Sequence, residues 1–295
     1  MKLYIYAQSG HTFGLEKVRK ASVIAKKLKK YDPTLATADY RAASYAKEYL
    51  GVEKGVGVDV LTNLPHMMTR NDFLVYDSNE ASDFTKDHMN DFCSLLYEVG
   101  DNLTSIIVDD FYRELEKNNH SIEKLFFYGD DDYADALLKQ AQDENAQYSV
   151  PVLVGHYMFL GNEDKLAKNF TNVIEEEGYN ETIKEAKYCL SGSEQTVLEV
   201  LANNANPILL IREDKNYQHL DLFTQCGIPT ITKEDKTLET IFEEFNSICA
   251  NYPSIKRDIF TQFDEQIENI LKELSSFDRL IELTRGHVLP QDMNN

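Results

Sequence analysis

Two doubly wound α/β domains followed by C-terminal helices are what the sequence predicts, and three observations carry that reading. Short β-branched and aromatic runs alternate with helix-length segments from the first residues as far as Lys233. A polar, charged stretch without an apolar period, RELEKNNHSIEK over 113–124, interrupts the alternation once, after which it restarts. At 295 residues the chain is long enough for two ordinary domains, and 42% hydrophobic residues are enough to give each a core.

The elements follow in order. KLYIYA is the first strand, and the helix expected over 15–30 sets Leu15, Val18, Ser22, Ala25 and Leu28 on one face with Lys17, Lys20 and Lys27 opposite. Strand TLATAD, a helix from Arg41 to Leu50, strands VGVDVLT and DFLVYDS, a helix over 82–98 and strand SIIVDD complete a first domain, 1–115. A second domain, 122–250, reads LFFYG, a helix over 133–144, SVPVLVG, a helix near 163–170, TNVIE and a helix near 180–187. It continues with YCLS, a helix near 194–204, PILLI, a helix near 216–226 and PTIT. The last segment, 251–295, is helical. Ile255, Ile259, Phe263, Ile267, Ile270, Leu271 and Leu274 form a stripe at helical spacing, opening after Tyr252-Pro253. Core packing explains the stripe more simply than a dimer seam, because no heptad run is sustained.

Composition narrows the function. A formal charge of −20 argues against nucleic acid, which is gripped by clustered Lys and Arg. No apolar run approaches the ~20 residues that span a bilayer, so the expectation is a cytoplasmic protein without stable membrane insertion. Cys93, Cys189, Cys226 and Cys249 are widely spaced, which suits reduced thiols rather than a zinc knuckle or disulfide framework. The charge is uneven. Residues 1–30 hold eight basic side chains against Glu16, a local +7 that leaves −27 for the rest. That basic helix is either a solvated outer face or a contact for an anionic ligand or membrane surface.

Two such domains leave a cleft between the carboxyl ends of their sheets, where α/β folds bind ligands. The first domain offers Ser9, Gly10, His11 and Thr12 after its first strand, then Asp77, Ser78, Asn79 and Glu80, then Asp109 and Asp110. The second offers Gly129 with Asp130, Asp131 and Asp132, then Gly155 and His156, then Ser191, Gly192 and Ser193, then Arg212 and Lys215. Gly10 and Gly14 alone do not separate a phosphate cradle from an ordinary strand-to-helix turn. GDDDYAD groups Asp130, Asp131, Asp132 and Asp135, but the spacing lacks the bidentate Glu of a calcium loop, and helix capping is the simpler account. His66, His88, His120 and His156 have no partner at ligand spacing, so no metal is assigned.

The most informative segment is 179–231. A strand runs into Ser191-Gly192-Ser193, a helix opens, and Glu199 lies within its first two turns. Pro207 then starts another strand, and Gln218 follows in DKNYQHLDLF. N–H groups at the opening of a helix attract an anion, the helix dipole adds to that attraction, and a carboxylate suits ribose hydroxyls.

This segment resembles the donor-binding half of GT-B-type nucleotide-sugar enzymes, in particular the UDP-sugar hydrolase of the pseudaminic acid pathway and the lipid-linked N-acetylglucosaminyltransferase of peptidoglycan synthesis. DFLVYDS, SIIVDDFYRE and LFFYGDDD resemble further parts of the hydrolase in the same order, over about 230 residues in all. The resemblance implies two Rossmann-like domains in a GT-B-like arrangement, the first on the acceptor side and the second on the nucleotide-sugar side. It implies a metal-independent glycosyltransferase or nucleotide-sugar hydrolase, with a UDP-sugar favoured, no cofactor, and a glycan or lipid-linked acceptor. Ser191, Gly192 and Ser193 would hold the diphosphate, Thr196 and Glu199 the ribose side, and Gln218 the sugar. Ser9, Gly10 and Asp77 would face them across the cleft. His11 is the candidate general base, since imidazole is the side chain whose titration falls near neutral pH; Glu16 and Asp77 are the alternatives.

The chain departs from that family in three places. Gly14, not Arg, stands three positions after His11, and NNANP replaces a Gly-Pro turn. Under a second alignment GLEKVRKASVIAKKL matches the Gly-x-Glu-x-x-x-Arg helix of GT-B transferases, and His11 loses its role. Cations to offset a diphosphate are sparse in the second domain, Lys165, Lys168, Arg212 and Lys215 being the nearest. A non-catalytic relative that binds a nucleotide sugar or a protein partner is therefore the alternative.

Overall fold

A computed structural model describes residues 1–99, 106–114, 120–257 and 265–286. The first sheet begins with β1 (Leu3–Ala7), buried at every position, as befits an apolar central parallel strand. There follow α1 (Glu16–Lys27), β2 (Thr34–Thr37), α2 (Tyr40–Tyr49), β3 (Gly55–Gly57), β4 (Phe73–Asp77), α3 (Asp83–Phe92) and β5 (Leu95–Glu98). Asp39 caps α2 through the N–H of Ala42, and Ser82 caps α3 through that of Thr85. The strand order is β3-β2-β1-β4-β5, all parallel, so the winding reverses at β1 and opens a crevice at its carboxyl end.

Two expectations differ here. The helix expected over 82–98 stops at Phe92, because Cys93 is extended and Leu95–Glu98 pairs in register with Phe73–Tyr76 as an edge strand. Of the strand expected at SIIVDD, the described residues keep a single bridge, at Ile106. Ile107 packs into the first core while Ile106 and Val108 pack into the second, so the segment is shared rather than belonging to one sheet. A short helix, α4 (Asp110–Arg113), follows under the Asp109 cap. Of the boundary expected at 113–124, residues 115–119 lie outside the described residues.

The second domain runs β6 (Ile122–Phe127), α5 (Ala136–Glu144), β7 (Val152–Leu153), α6 (Glu163–Leu166), β8 (Val173–Ile174) and α7 (Tyr179–Glu185). It continues through β9 (Ala186–Ser191), α8 (Glu194–Ala202), β10 (Asn206–Ile211), α9 (Leu220–Cys226), β11 (Thr230–Thr232) and α10 (Leu238–Ala250). Its six parallel strands lie in the order β11-β10-β9-β6-β7-β8, with β9 and β6 central. The four cysteines are free thiols.

The final helix, α11 (Glu265–Gly286), returns to the first domain. Its Ile267, Ile270 and Leu274 are buried in the core that holds Leu3 and Val99, and Phe277 lies 5.2 Å from Phe73. The described part of the C-terminal stripe is thus core packing: Ile255 meets the second domain and residues from Ile267 on meet the first. Ile259 and Phe263 lie outside the described residues. Among the described residues, no helix is long and apolar enough to cross a membrane.

Candidate functional site

The cleft is built from loops at the carboxyl ends of both sheets. In the β1–α1 loop the Gly10 carbonyl accepts from the N–H groups of Phe13 (3.0 Å) and Gly14 (2.8 Å), closing a tight turn. Gly14 has φ +67°, and a Cβ there would stand 3.2 Å from that of Asp130. The glycine therefore serves both the left-handed turn and the close approach of the second domain. Thr12, Phe13 and Lys17 from this side, with Glu194, Lys215 and Gln218 from the other, border a cavity of about 180 Å³.

Helix α1 is the seam between the domains. Its expected apolar face, Leu15 through Leu28, is buried as predicted. Its basic side chains are not an open anion site, because acids from elsewhere meet them, while from Lys27 onward the basic residues are exposed and form a solvated face. Lys20 pairs with Asp77 at 2.7 Å, Lys26 with Asp109, Lys27 with Asp110, and Lys29 with Glu53. Lys17 donates to Asn79 at 2.8 Å and lies 3.5 Å from Asp77. Arg19, 4% exposed, donates to both carboxylate oxygens of Asp130 in the second domain and stacks 3.4 Å from the Tyr179 ring centre.

On the second-domain side the sequence SGSEQ forms a tight strand-to-helix turn. A Cβ on Gly192 would come within 2.2 Å of the Tyr128 carbonyl, so no other residue fits. Ser191 Oγ accepts from the Ser193 N–H, and Ser193 Oγ caps α8 by accepting from Thr196. Glu194 opens the helix, and its carboxylate accepts from the backbone N–H of Gln218 (2.8 Å) and His219 (2.6 Å). Burial opposes that charge, but His219 and the two N–H groups hold the carboxyl below its usual range.

The cations here are engaged. Arg212 is gripped by Asp214 (3.0 and 2.6 Å) and donates to Asp131 (2.7 Å) and the Tyr128 carbonyl. Lys215 crosses the cleft to Glu16 at 2.5 Å and stands 3.4 Å from Asp131. Burial would favour its neutral form, yet Glu16 and Asp131 outweigh that and keep its pKa raised.

The expected site residues fall into three groups. Gln218 borders the cavity, and Ser193 caps the helix whose next two residues, Glu194 and Gln195, border it. Ser191, Thr196 and Glu199 lie beneath: the Tyr179 hydroxyl bonds Thr196 and Glu199, each at 2.7 Å, and Gln195 joins Glu199 to the Ile107 carbonyl. Burial pushes the Glu199 carboxyl up, opposed by Arg19 and the bonds from Tyr179 and Gln195. The third group belongs to the first domain. Ser9 donates to Asp39, which also accepts from Tyr157 across the junction. Asp77 is engaged by Lys17 and Lys20, and Gly10 is in the turn. His11 is exposed beside Tyr133, ring centres 4.4 Å apart, just outside the cavity that its neighbours Thr12 and Phe13 border.

The GDDDYAD carboxylates are divided among separate partners. Asp130 meets Arg19 and Asp131 meets Arg212, while Asp132 receives the N–H groups of Ala136 and Leu137, and Asp135 bonds Asn162. Among the described residues, no group of three or more His, Cys, Asp or Glu side chains is placed to hold a metal ion. Sequence reasoning missed Arg19 and Glu194. The signal for Arg19 was its place beside Val18 and Ser22, on a helix face that the apolar period buries.

No family model and no curated protein matches the chain. Among solved structures, UDP-GlcNAc 2-epimerase of Methanocaldococcus jannaschii, in complex with UDP-GlcNAc and UDP, is similar at TM-score 0.57 and 12% identity. The likeness covers 94% of this chain and 100% of that one. The chain has a GT-B-type fold. Its two Rossmann-like domains face one another across the cleft described above, as the resemblance implied. A UDP-N-acetylglucosamine 2-epimerase (TM-score 0.49, 10% identity, all of both chains) and that of Neisseria meningitidis bound to UDP-GlcNAc (0.47, 11%, 94% and 100%) are more distant.

Proposed function

We propose that this cleft binds a nucleotide sugar, a UDP-sugar first, and that the protein acts on it as a glycosyltransferase or nucleotide-sugar hydrolase. One observation carries the reading: Thr12 and Phe13 after β1, and Glu194, Lys215 and Gln218 from the second sheet's loops, border a single cavity in a GT-B-type fold. A relative of that fold, at 12% identity, is solved with UDP-GlcNAc and UDP.

The nucleoside diphosphate is the leaving group, so the protein must stabilise developing charge on it and position water or an acceptor hydroxyl. The start of α8 supplies the positive end of a helix dipole and Lys215 a cation that borders the cavity. Ser191, Gly192 and Ser193 shape the turn; Thr196 and Glu199 set the helix from beneath, and Gln218 faces the sugar. Ligand pockets typically occupy ~300–1,000 Å³, more than this cavity, and a diphosphate that meets Lys215 would compete with Glu16 for it. His11 is the base in this scheme, since Asp77 and Glu16 are engaged by lysines.

A second reading, a non-catalytic binder of a nucleotide sugar or protein partner, is favoured by the Glu194 carboxylate at the helix start and by the engagement of Arg212 and Lys215. A thermal-shift panel of UDP, GDP, CMP and their sugars tests the site. Selective stabilisation by UDP compounds is expected, and no response to any of them overturns the proposal. Hydrolysis and transfer assays with His11→Ala then separate enzyme from binder.

A further inference from the structure

A row of exposed rings runs out of the cleft mouth. Tyr133, 44% exposed, sits between His11 (4.4 Å) and Phe159 (4.9 Å, itself 49% exposed), and neither contact is a flat stack. The row starts on the β1–α1 loop of the first domain and ends on the β7–α6 loop of the second. Phe13, 41% exposed, belongs to the same loop as His11 and borders the cavity, so the row continues the site. Exposed rings grouped in this way offer a ready surface for a ligand with an apolar face.

We propose that this row is a platform for a neutral carbohydrate acceptor, an inference that rests on the nucleotide-sugar reading of the cleft. Flat rings suit the C–H face of a sugar, and Asp135, two residues from Tyr133 and bonded to Asn162, supplies an acceptor for its hydroxyls. The rings of His11, Tyr133 and Phe159 lie outside the cavity in which Lys215 stands to meet a diphosphate, and the net charge of −20 disfavours an acidic headgroup on them. A neutral sugar is therefore favoured over a lipid-linked acceptor. In the transfer step the acceptor oxygen bonds the anomeric carbon. The bond from that carbon to the diphosphate breaks with its electron pair leaving on the diphosphate, and the acceptor proton passes to the His11 imidazole.

Saturation-transfer NMR on the full chain with cellobiose, maltose and chitobiose, with and without UDP, tests the platform. At least one disaccharide is expected to show transfer. Its binding should weaken about tenfold or more in Tyr133→Ala/Phe159→Ala, the scale on which single stacked rings act, and persist in Phe84→Ala, an exposed aromatic on α3. Circular dichroism of the double variant checks that it is folded. The platform is overturned if no disaccharide gives a signal while UDP raises the melting temperature, or if signals survive the double variant. Cosedimentation with 3:1 phosphatidylcholine:phosphatidylglycerol vesicles that the double variant loses, without any saccharide signal, also overturns it and points to lipid. A saccharide signal without any response to UDP sustains the platform and removes the nucleotide-sugar reading instead.

Discussion

Arg19 and Asp130, 111 residues apart, meet through two hydrogen bonds of 3.1 and 2.9 Å with both side chains almost wholly buried. The pair fastens α1 of the first domain to the β6–α5 turn of the second. Removing one partner of a buried ion pair leaves an uncompensated charge and costs about 3–5 kcal/mol. Arg19→Met and Asp130→Asn are each expected to lose that much in urea unfolding. The double variant should lose no more than either single variant, and losses that simply add in the double variant would refute the pairing.

Gly192→Ala forces a Cβ to within 2.2 Å of the Tyr128 carbonyl, a backbone atom in a central strand region that cannot retreat. We expect a loss of about 3 kcal/mol or more, with poor soluble yield. Gly178→Ala, where the new Cβ meets only side-chain atoms at 3.5 Å, should stay within about 1 kcal/mol. Equal urea midpoints for the two variants would contradict the geometry.

Asp132 gives a pH signature. Burial pushes its carboxyl up to about 6, against the backbone N–H groups of Leu137 and Ala136. The unfolded value is about 3.9, so the native state binds the proton more tightly. Its contribution to stability is present below about pH 4, falls as pH rises to about 6, and is flat above that. Asp132→Asn removes this slope while keeping an acceptor for the start of α5. Relative to wild type the variant should gain up to about 3 kcal/mol between pH 4 and pH 7; a pH-independent difference in chemical denaturation would show the carboxyl to be unperturbed.

On the proposed nucleotide-sugar reading, Glu16, paired with Lys215, would compete with an anionic ligand for it. Glu16→Gln is therefore expected to tighten UDP binding by about three- to tenfold, the range of a partly exposed ion pair, and Lys215→Ala to weaken it by a similar factor. Titration calorimetry reads both. Opposite or absent effects would mean that Lys215 is a structural tie rather than a ligand contact.

Much of this was legible in the chain. Apolar runs alternating with amphipathic segments specify doubly wound sheets, and the SGSEQ turn marks a strand-to-helix junction by its glycine and its cap. The edge strand β5 was not legible, because no Gly or Pro stands between Phe92 and Leu95 to punctuate the change. The site was harder to read than the fold. Whether Glu194 or Glu199 meets the cleft depends on the rotation of α8 against Tyr179, a tertiary contact that helical periodicity does not encode. Arg19 is a similar case: the period shows that its face is buried, but only the folded chain brings Asp130 to it. The C-terminal stripe likewise announced an apolar face without saying which domain would cover it.

That stripe makes the second domain a guest within the first. The polypeptide leaves the first sheet after β5, builds the whole of the second, and comes back through α11 to bury Ile267, Ile270 and Leu274 beside Leu3. A fragment ending at Ala250 would strip the first domain of part of its own core, whereas excising 120–257 and rejoining the flanks would take from that core's described buried residues only Tyr157. Dissection of the two halves should therefore proceed by removing the insert and keeping α11 with the first sheet.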